Sequence, residues 1–299
     1  MVCLSEGAQA WRPINRQSLS GLDWLNDDIG ILRQAYEAAC RVMPEGAAWQ
    51  AIACGERRLG LLIHPAAKAD SPRRAIIYFH GGGWIVGSPL THADISGALN
   101  AATGLSVISV DYRLAPEHPA PAPIEDGLVA INHMLSRDPG LSFVLCGDSA
   151  GAAIALAVGA AAPSAIGARI AGIAACYGSY GLLDSTSLKQ LGTRESGLDV
   201  ACLSRMWKAA HASGARSPYA IDAVSRVGDA PVHILVGAQD PLRDDSIALA
   251  DALRSAKRFA GLDLVPGEGH GFLHGGLTVP SARAAFGRLA QWIGSLPLA

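Results

Sequence analysis

The sequence has no excess of charge of one sign, no cysteine pattern and no apolar run long enough to span a bilayer. Twenty-four basic against 26 acidic side chains leave its 299 residues with a formal charge of −2, which gives no electrostatic footprint for nucleic acid or an anionic membrane surface. The six cysteines, at positions 3, 40, 54, 146, 176 and 202, form no Cys-x-x-Cys pair and no cysteine–histidine cluster of metal spacing. Neither a disulfide framework nor a zinc site is therefore expected. Cys146 and Cys176 fall in apolar runs, where a free thiol behaves as a small hydrophobe. His64, His92, His118, His133, His211 and His233 show no ligand spacing either and read as ordinary polar or core-edge residues. The Ala-rich run 151–162 is too short and too small in side chain to cross a bilayer, and residues 1–10 lack a basic segment followed by an apolar core. No secretory signal is expected, and the chain reads as cytoplasmic. There is no internal repeat or low-complexity segment.

What is present is apolar surface in strand-sized pieces. Half of the residues are hydrophobic, ample for a buried parallel sheet in one large α/β domain. Strand-like runs lie near 59–64, 75–79, 105–110, 142–146, 170–176, 232–237 and 261–265, and helical patterns alternate with most of them. Such alternation predicts a mostly parallel central sheet with helices on both faces. The Pro-rich piece 116–123 reads as an extended loop leading into a helix around 124–135. Residues 1 to about 50 stand outside the alternation, with helical stretches such as 28–41 and no strand between them, as do residues about 180–225.

The chemistry-bearing motif is Gly147-Asp148-Ser149-Ala150-Gly151, between an apolar strand-like run and a small-residue helix-like run. A serine at the apex of a sharp strand-to-helix turn, flanked by glycines that let strand and helix pass closely, is the composition of a nucleophile elbow. His80-Gly81-Gly82-Gly83-Trp84 follows the run 75–79, and its three glycines allow backbone N–H groups to converge on one point, as an oxyanion requires. The Lys and Ser/Thr of a phosphate loop are missing after Gly83, and no Gly-x-Gly-x-x-Gly spacing follows.

An acid and then a base must follow such a serine in chain order. Asp240 stands just past the strand-like run 232–237, and His270 just past the short run 262–265, with one helix-like stretch, 246–259, between them. Both fall at the carboxyl ends of predicted strands, the edge where open α/β sheets carry their ligands. A serine hydroxyl must lose its proton to a base as it attacks an acyl carbon. An imidazole, with an unperturbed pKa of about 6.5, can take that proton and return it to the leaving group. Asp148 is expected to hold structure by hydrogen bonds, because neighbours on an elbow point in different directions. Asp244 and Asp245 open the next helix, where carboxylates cap and complement the dipole. His274 lies beyond His270, further from the strand end, and Glu268 reads as a solvated loop carboxylate. His80 is expected to hold the glycine loop by hydrogen bonds.

These stretches resemble the hormone-sensitive-lipase family of α/β-hydrolase esterases, the bacterial family IV carboxylesterases. The matches are HGGGW at 80–84, DYRLAPEHPAPAPIEDG at 111–127, GDSAG at 147–151, DPLRDD at 240–245 and HGF at 270–272, in the family's order, from about residue 75 onward. The resemblance implies an α/β-hydrolase fold, with Ser149 as nucleophile, His270 as general base and then acid, and Asp240 orienting and charging the imidazole. It also implies oxyanion donors at the backbone N–H groups of Gly82, Gly83 and Ala150, with Gly81 shaping the turn. It further implies a cap over the active site built from about 1–50 and about 180–225, and no metal or organic cofactor. One departure is Ala152, where the family usually has a second glycine after GDSAG, and a methyl group at a helix start is easily accommodated.

The expected activity is hydrolysis of carboxylic esters of small to medium acyl chain through an acyl-serine intermediate. The expected partner is a small-molecule ester, with no nucleic acid and no stable membrane association, and a homodimer is an expectation of family analogy alone. An amide-cleaving hydrolase such as an arylformamidase, or an acyltransferase that keeps water from the acyl-enzyme, would use the same residues. A ligand receptor on this fold is the reading from another class, and the intact His270 argues against it.

Overall fold

The computed structural model describes residues 2–4, 11–13, 19, 21–67, 73–211 and 216–297. Strands β1 (Val2–Leu4) and β2 (Trp11–Pro13) pair antiparallel with each other. The remaining strands are β3 (Ala48–Cys54), β4 (Arg57–His64), β5 (Arg74–Phe79), β6 (Ser106–Asp111), β7 (Ser142–Asp148), β8 (Ile170–Cys176), β9 (Val232–Gly237) and β10 (Phe259–Val265). They form one eight-stranded sheet in the order β10-β9-β8-β7-β5-β6-β4-β3. Only β3–β4 and β4–β6 pair antiparallel, and every other pair is parallel. This is the mostly parallel sheet that the alternating pattern predicts.

The expectation of no strand in the first 50 residues fails at three places: β1, β2 and the start of β3. The helix expected over 28–41 is present as α1 (Ile29–Cys40), with the Asp28 side chain accepting from Gly30 N as its cap. The stretch expected as helix over 246–259 ends earlier, since Phe259 already opens β10. The Pro-rich piece carries cis peptides at Ala115–Pro116 and Ala120–Pro121 and leads into a helix that begins at Ala122.

Two layers of helix cover the sheet. Ile77 and Phe79 of β5 pack with Ala130 and Ile131 of α2 (Ala122–Arg137) and with Ile154 and Leu156 of α3 (Ala150–Ala161). Ile76 and Tyr78, one residue out of phase, point to the opposite face. There they join Ile95 and Leu99 of the helix 93–103, and Phe286 and Leu289 of the helix 280–295. In the latter helix, Ala282, Ala285, Phe286, Leu289 and Ile293 recur at helical spacing and are all buried. Each large apolar side chain buried this way stabilises by roughly 1.5–3 kcal/mol. Among the described residues, no helix is long and apolar enough to cross a membrane.

Arginines tie the peripheral pieces to this frame. Arg33 of α1 binds Glu117 through both carboxylate oxygens, at 2.9 and 2.7 Å, and donates to the carbonyls of Ile85 and Ala115, both at 2.7 Å. Arg205 donates to the carbonyls of Trp24 at 2.8 Å and Asp27 at 2.6 Å, which joins the N-terminal segment to the helix 200–210. Asp126 on α2 has no exposed surface and accepts from Arg57 and from Arg113, whose Nε lies 3.0 Å away. Removing that carboxylate takes away the ion pair of Arg57 and leaves Arg113 with Glu125, 2.8 Å away. The loss for a fully buried pair is about 3–5 kcal/mol. Because both arginines are partly exposed, Asp126→Ala is expected to lower unfolding free energy by roughly 2–4 kcal/mol. Chemical denaturation checks this, and a change near zero would show that solvent replaces the pair.

Candidate active site

The sheet's order reverses at β5, whose neighbours are β6 on one side and β7 on the other. At such a switch point, two adjacent carboxyl ends feed loops to opposite sides and leave a crevice between them. Phe79, the last residue of β5, is paired with Gly147 near the end of β7. The glycine loop and the elbow therefore start side by side.

Ser149 sits at φ 52°, ψ −122°, a conformation a non-glycine residue adopts only when its surroundings impose it. The glycines around it are required by contact. A Cβ on Gly151 would lie 2.0 Å from the Phe79 carbonyl oxygen, and one on Gly147 would lie 2.2 Å from that of Gly151. Ala152 is fully buried on α3 and adjoins Gly178, the glycine that leaves room for its methyl group. In the facing loop, Gly82 and Gly83 lie at φ 111° and 59°. Among the described residues, neither of their N–H groups, nor that of Ala150, donates to a protein acceptor.

Ser149 Oγ lies 2.9 Å from His270 Nε2, and His270 Nδ1 lies 3.1 Å from each carboxylate oxygen of Asp240. Asp240 is fully buried and also accepts from Leu242 N at 2.7 Å. With Nδ1–H donating to a carboxylate, the lone pair is on Nε2, where it can accept the serine proton. Burial opposes the imidazolium, but the charge of Asp240, its hydrogen bond and the charge of Asp148 outweigh burial. The pKa of His270 therefore lies above its ordinary 6.5. Tyr177 packs edge-on against the ring with centroids 5.0 Å apart.

Asp148 points away from Ser149, as expected of a structural neighbour. Its Oδ1 accepts from Tyr78 OH at 2.5 Å and from Gly81 N at 2.9 Å, so it holds the glycine loop onto the elbow. His80 donates from Nδ1 to the Gly81 carbonyl at 2.8 Å and stacks on Tyr112 at 4.2 Å. Burial pushes its pKa down to about 4, so the ring is neutral. Asp244 and Asp245 do not cap their own helix, 243–255. Asp245 is fully buried and accepts from Tyr180 N at 2.5 Å, and Asp244 accepts from Ser187 N at 2.8 Å. They stand in the first turn of that helix, as expected, and also anchor the 180–187 segment. Glu268 is engaged through its carbonyl, which accepts from Gln239 N at 2.8 Å.

A cavity of about 650 Å³ opens above Ser149, lined by Leu22 and Trp24 on one side and by Leu198, Leu203 and Met206 on the other. A Cβ on Gly83 would lie 2.4 Å from Met206 Sδ, so the glycine loop leans directly on that wall. Sequence spacing alone missed one group. His92, which shows no ligand spacing, is brought by the fold against Asp148 and His274.

Two outcomes follow from this geometry. Gly151→Ala forces a carbon into the Phe79 carbonyl, and a loss of about 1–3 kcal/mol is expected in denaturant unfolding, as for other overpacked positions. An unchanged midpoint would mean the elbow has slack. The imidazole titration of His270, followed by NMR, is expected to centre above pH 6.5 and to move down in Asp240→Asn; a midpoint at or below 6.5 in the wild type would contradict the balance of charges above.

Comparisons with known proteins bear on the fold and the family. Residues 76–274 match the family model described as alpha/beta hydrolase fold. The chain is 36% identical over 188 residues to an acetyl-hydrolase of Streptomyces hygroscopicus, an alignment covering 61% of this chain and 62% of that protein. Among solved structures, an esterase of Pyrobaculum calidifontis superposes with a TM-score of 0.78 at 25% identity, covering 96% of this chain and 99% of that one. An ester-hydrolase from the metagenome of Lake Arreo, complexed with a derivative of bipyridine phosphonate, gives 0.78 at 25% identity over 95% and 98%. The chain belongs to the α/β-hydrolase fold family.

Proposed function

We propose that the protein hydrolyses carboxylic esters of small to medium acyl chain through a covalent acyl-Ser149 intermediate. The observation that carries this reading is the hydrogen-bonded series from Ser149 Oγ to His270 Nε2 at 2.9 Å and from His270 Nδ1 to Asp240 at 3.1 Å, at the floor of an open cavity. Ser149 Oγ attacks the acyl carbon as His270 Nε2 takes its proton. The carbonyl oxygen becomes an oxyanion that accepts from the N–H groups of Gly82, Gly83 and Ala150, each such donor contributing roughly 3–4 kcal/mol. Collapse breaks the ester C–O bond, and His270 protonates the departing alcohol. Water then enters, His270 takes its proton, and attack on the acyl-serine releases the acid and returns the proton to Ser149 Oγ. Asp240 stays ionised throughout and stabilises the imidazolium.

The segments of about 1–50 and about 180–225 serve in this reading as the cap, with Leu22, Trp24, Leu198, Leu203 and Met206 of them lining the cavity. Their apolar side chains restrict water and shape the acyl and alcohol pockets. The acetyl group in the name of the Streptomyces relative is adopted here as the shortest acyl group of the range. A cytoplasmic location fits the free thiols at Cys40, Cys54, Cys146, Cys176 and Cys202.

Hydrolysis of a series of 4-nitrophenyl acyl esters tests the assignment. Ser149→Ala, confirmed folded, is expected to lose activity by about 10⁴–10⁶-fold. Full activity in that variant would overturn the mechanism, and no activity in either protein would turn the search to amides. The rate is expected to fall on acidification. The base must be neutral, and its pKa is raised, so half of the plateau rate is reached above pH 6.5. A profile flat from about pH 5 to 8 would remove His270 from the role.

A further inference from the structure

The chain leaving β8 brings to the cavity a buried hydroxyl that the reaction does not use. Ser179 lines the cavity above Ser149 and is 2% exposed, and among the described residues its Oγ has no hydrogen-bond partner. A serine hydroxyl can donate one hydrogen bond and accept two, and leaving it buried and unpaired is costly. The buried wall offers it little, since Trp24, Leu198, Leu203, Met206 and Leu242 all present apolar surface there. Trp84 also lines the cavity and carries an unpartnered indole N–H. Its ring, however, stacks on Tyr219 at 5.3 Å and meets Trp207 edge-on at 5.5 Å, and neither of these lines the cavity. The indole therefore belongs to the packing behind the wall, and Ser179 is the hydroxyl available to a bound molecule.

The four bonds of the tetrahedral carbon say which part of an ester comes near it. One bond is to Ser149 Oγ, and the oxyanion turns to the glycine loop that follows β5. The leaving oxygen must lie at His270 Nε2, which is 2.9 Å from Ser149 Oγ, to receive its proton. The acyl chain takes the direction that remains. In the sheet, β5 flanks β7 on one side and β8 on the other, so the glycine loop and the segment after β8 stand on opposite sides of the elbow. Within that segment, Tyr177 packs on the His270 ring, whereas a Cβ on Gly178 would lie 2.9 Å from Ala152 Cβ of α3, and Tyr180 joins the core on the α3 side. Ser179, between Gly178 and Tyr180, thus lies across the nucleophile from both the glycine loop and the imidazole, on the path of the acyl chain.

We propose that Ser179 is a specificity-determining residue that hydrogen-bonds a hydroxyl on the acyl chain, so that the preferred substrates are esters of short hydroxy acids. This rests on the ester-hydrolase reading above and narrows its acyl side. A hydroxyl on the substrate can accept from Ser179 Oγ–H or donate to its lone pair, and either arrangement satisfies both groups. A methyl group in the same place has nearly the same size and leaves Ser179 unpaired. The acyl chain is held alike before and after attack, so the preference is expressed mainly in KM.

The experiment compares the methyl esters of the two 3-hydroxybutyrate enantiomers with methyl 3-methylbutyrate, in which a methyl group replaces the hydroxyl, following the released acid by pH-stat. The wild type is expected to favour one hydroxy enantiomer over the methyl isostere by about 3–10-fold in kcat/KM, the yield of one net hydrogen bond, with most of the difference in KM. In Ser179→Ala that ratio is expected to fall to about one or below, and the denaturation midpoint to hold or rise, because no protein partner of the hydroxyl is lost. A wild-type ratio of one or less for both enantiomers would overturn the proposal without need of any variant. So would a preference that survives in Ser179→Ala, or a lowered midpoint, which would show that Ser179 serves the fold. If the wild type cleaves none of these esters and none of the 4-nitrophenyl series, the ester-hydrolase reading itself falls, and this inference with it.

Discussion

The crowding of three backbones around Ser149 is the constraint on which the rest depends. The end of β5, the end of β7 and the start of α3 meet so closely that any side chain at Gly147 or Gly151 would collide with a carbonyl group. The turn has no alternative but to pass through positive φ at a residue with a side chain. Such a conformation costs on the order of 1–3 kcal/mol. Packing offsets this, because α3 is sheathed by protein over nearly its whole length and built largely of alanine. Alanine contributes little apolar area per residue, but it lets the helix axis lie close to the sheet, and that closeness is what pins the serine.

Two buried carboxylates stand at this edge, and their partners give them different work. Asp240 has an imidazole and a backbone N–H as partners, so its negative charge is directed at His270. Asp148 has a phenol and the Gly81 N–H, so its charge is directed into the glycine loop. Burial pushes the Asp148 carboxyl above the ordinary carboxylate range, opposed by His274, Tyr78 and His270. The same residue thus fixes the loop that faces the serine and raises the basicity of His270 from a distance. A single carboxylate couples the placement of the amides to the charge of the base.

The central strands and the relay were legible in the sequence because their signals are local. Apolar runs of strand length, three adjacent glycines and a serine between glycines each announce themselves within a few residues. The edge strand β3 was not, because Ala48–Cys54 is rich in alanine and Ile52 is its one buried position, so it carries no clean period-two apolar pattern. The end of the helix 243–255 was missed for another reason. Lys257 takes φ 60° and turns the chain with no glycine or proline to signal it. His92, Asp148 and His274 come from three separate elements, and nothing in their spacing brings them together. Asp245 stands in the first turn of its helix as expected, but its partners, Tyr180 and Leu182, are distant in sequence and were not legible.

The floor and the walls of the cavity come from different parts of the chain, yet they are not independent. The floor rests on strand ends fixed by the sheet ladder. The walls meet each other where Trp24 lies against Gly197 and where Arg205 binds the carbonyls of Trp24 and Asp27. The floor meets the wall at Gly83 and Met206. Because Met206 is nearly fully buried at that contact, a change in its volume has nowhere to relax except into the glycine loop or into the cavity. In the proposed reaction, selection of substrate and stabilisation of the oxyanion would therefore be mechanically linked, since a wall residue altered to admit a larger group also presses on the glycine loop.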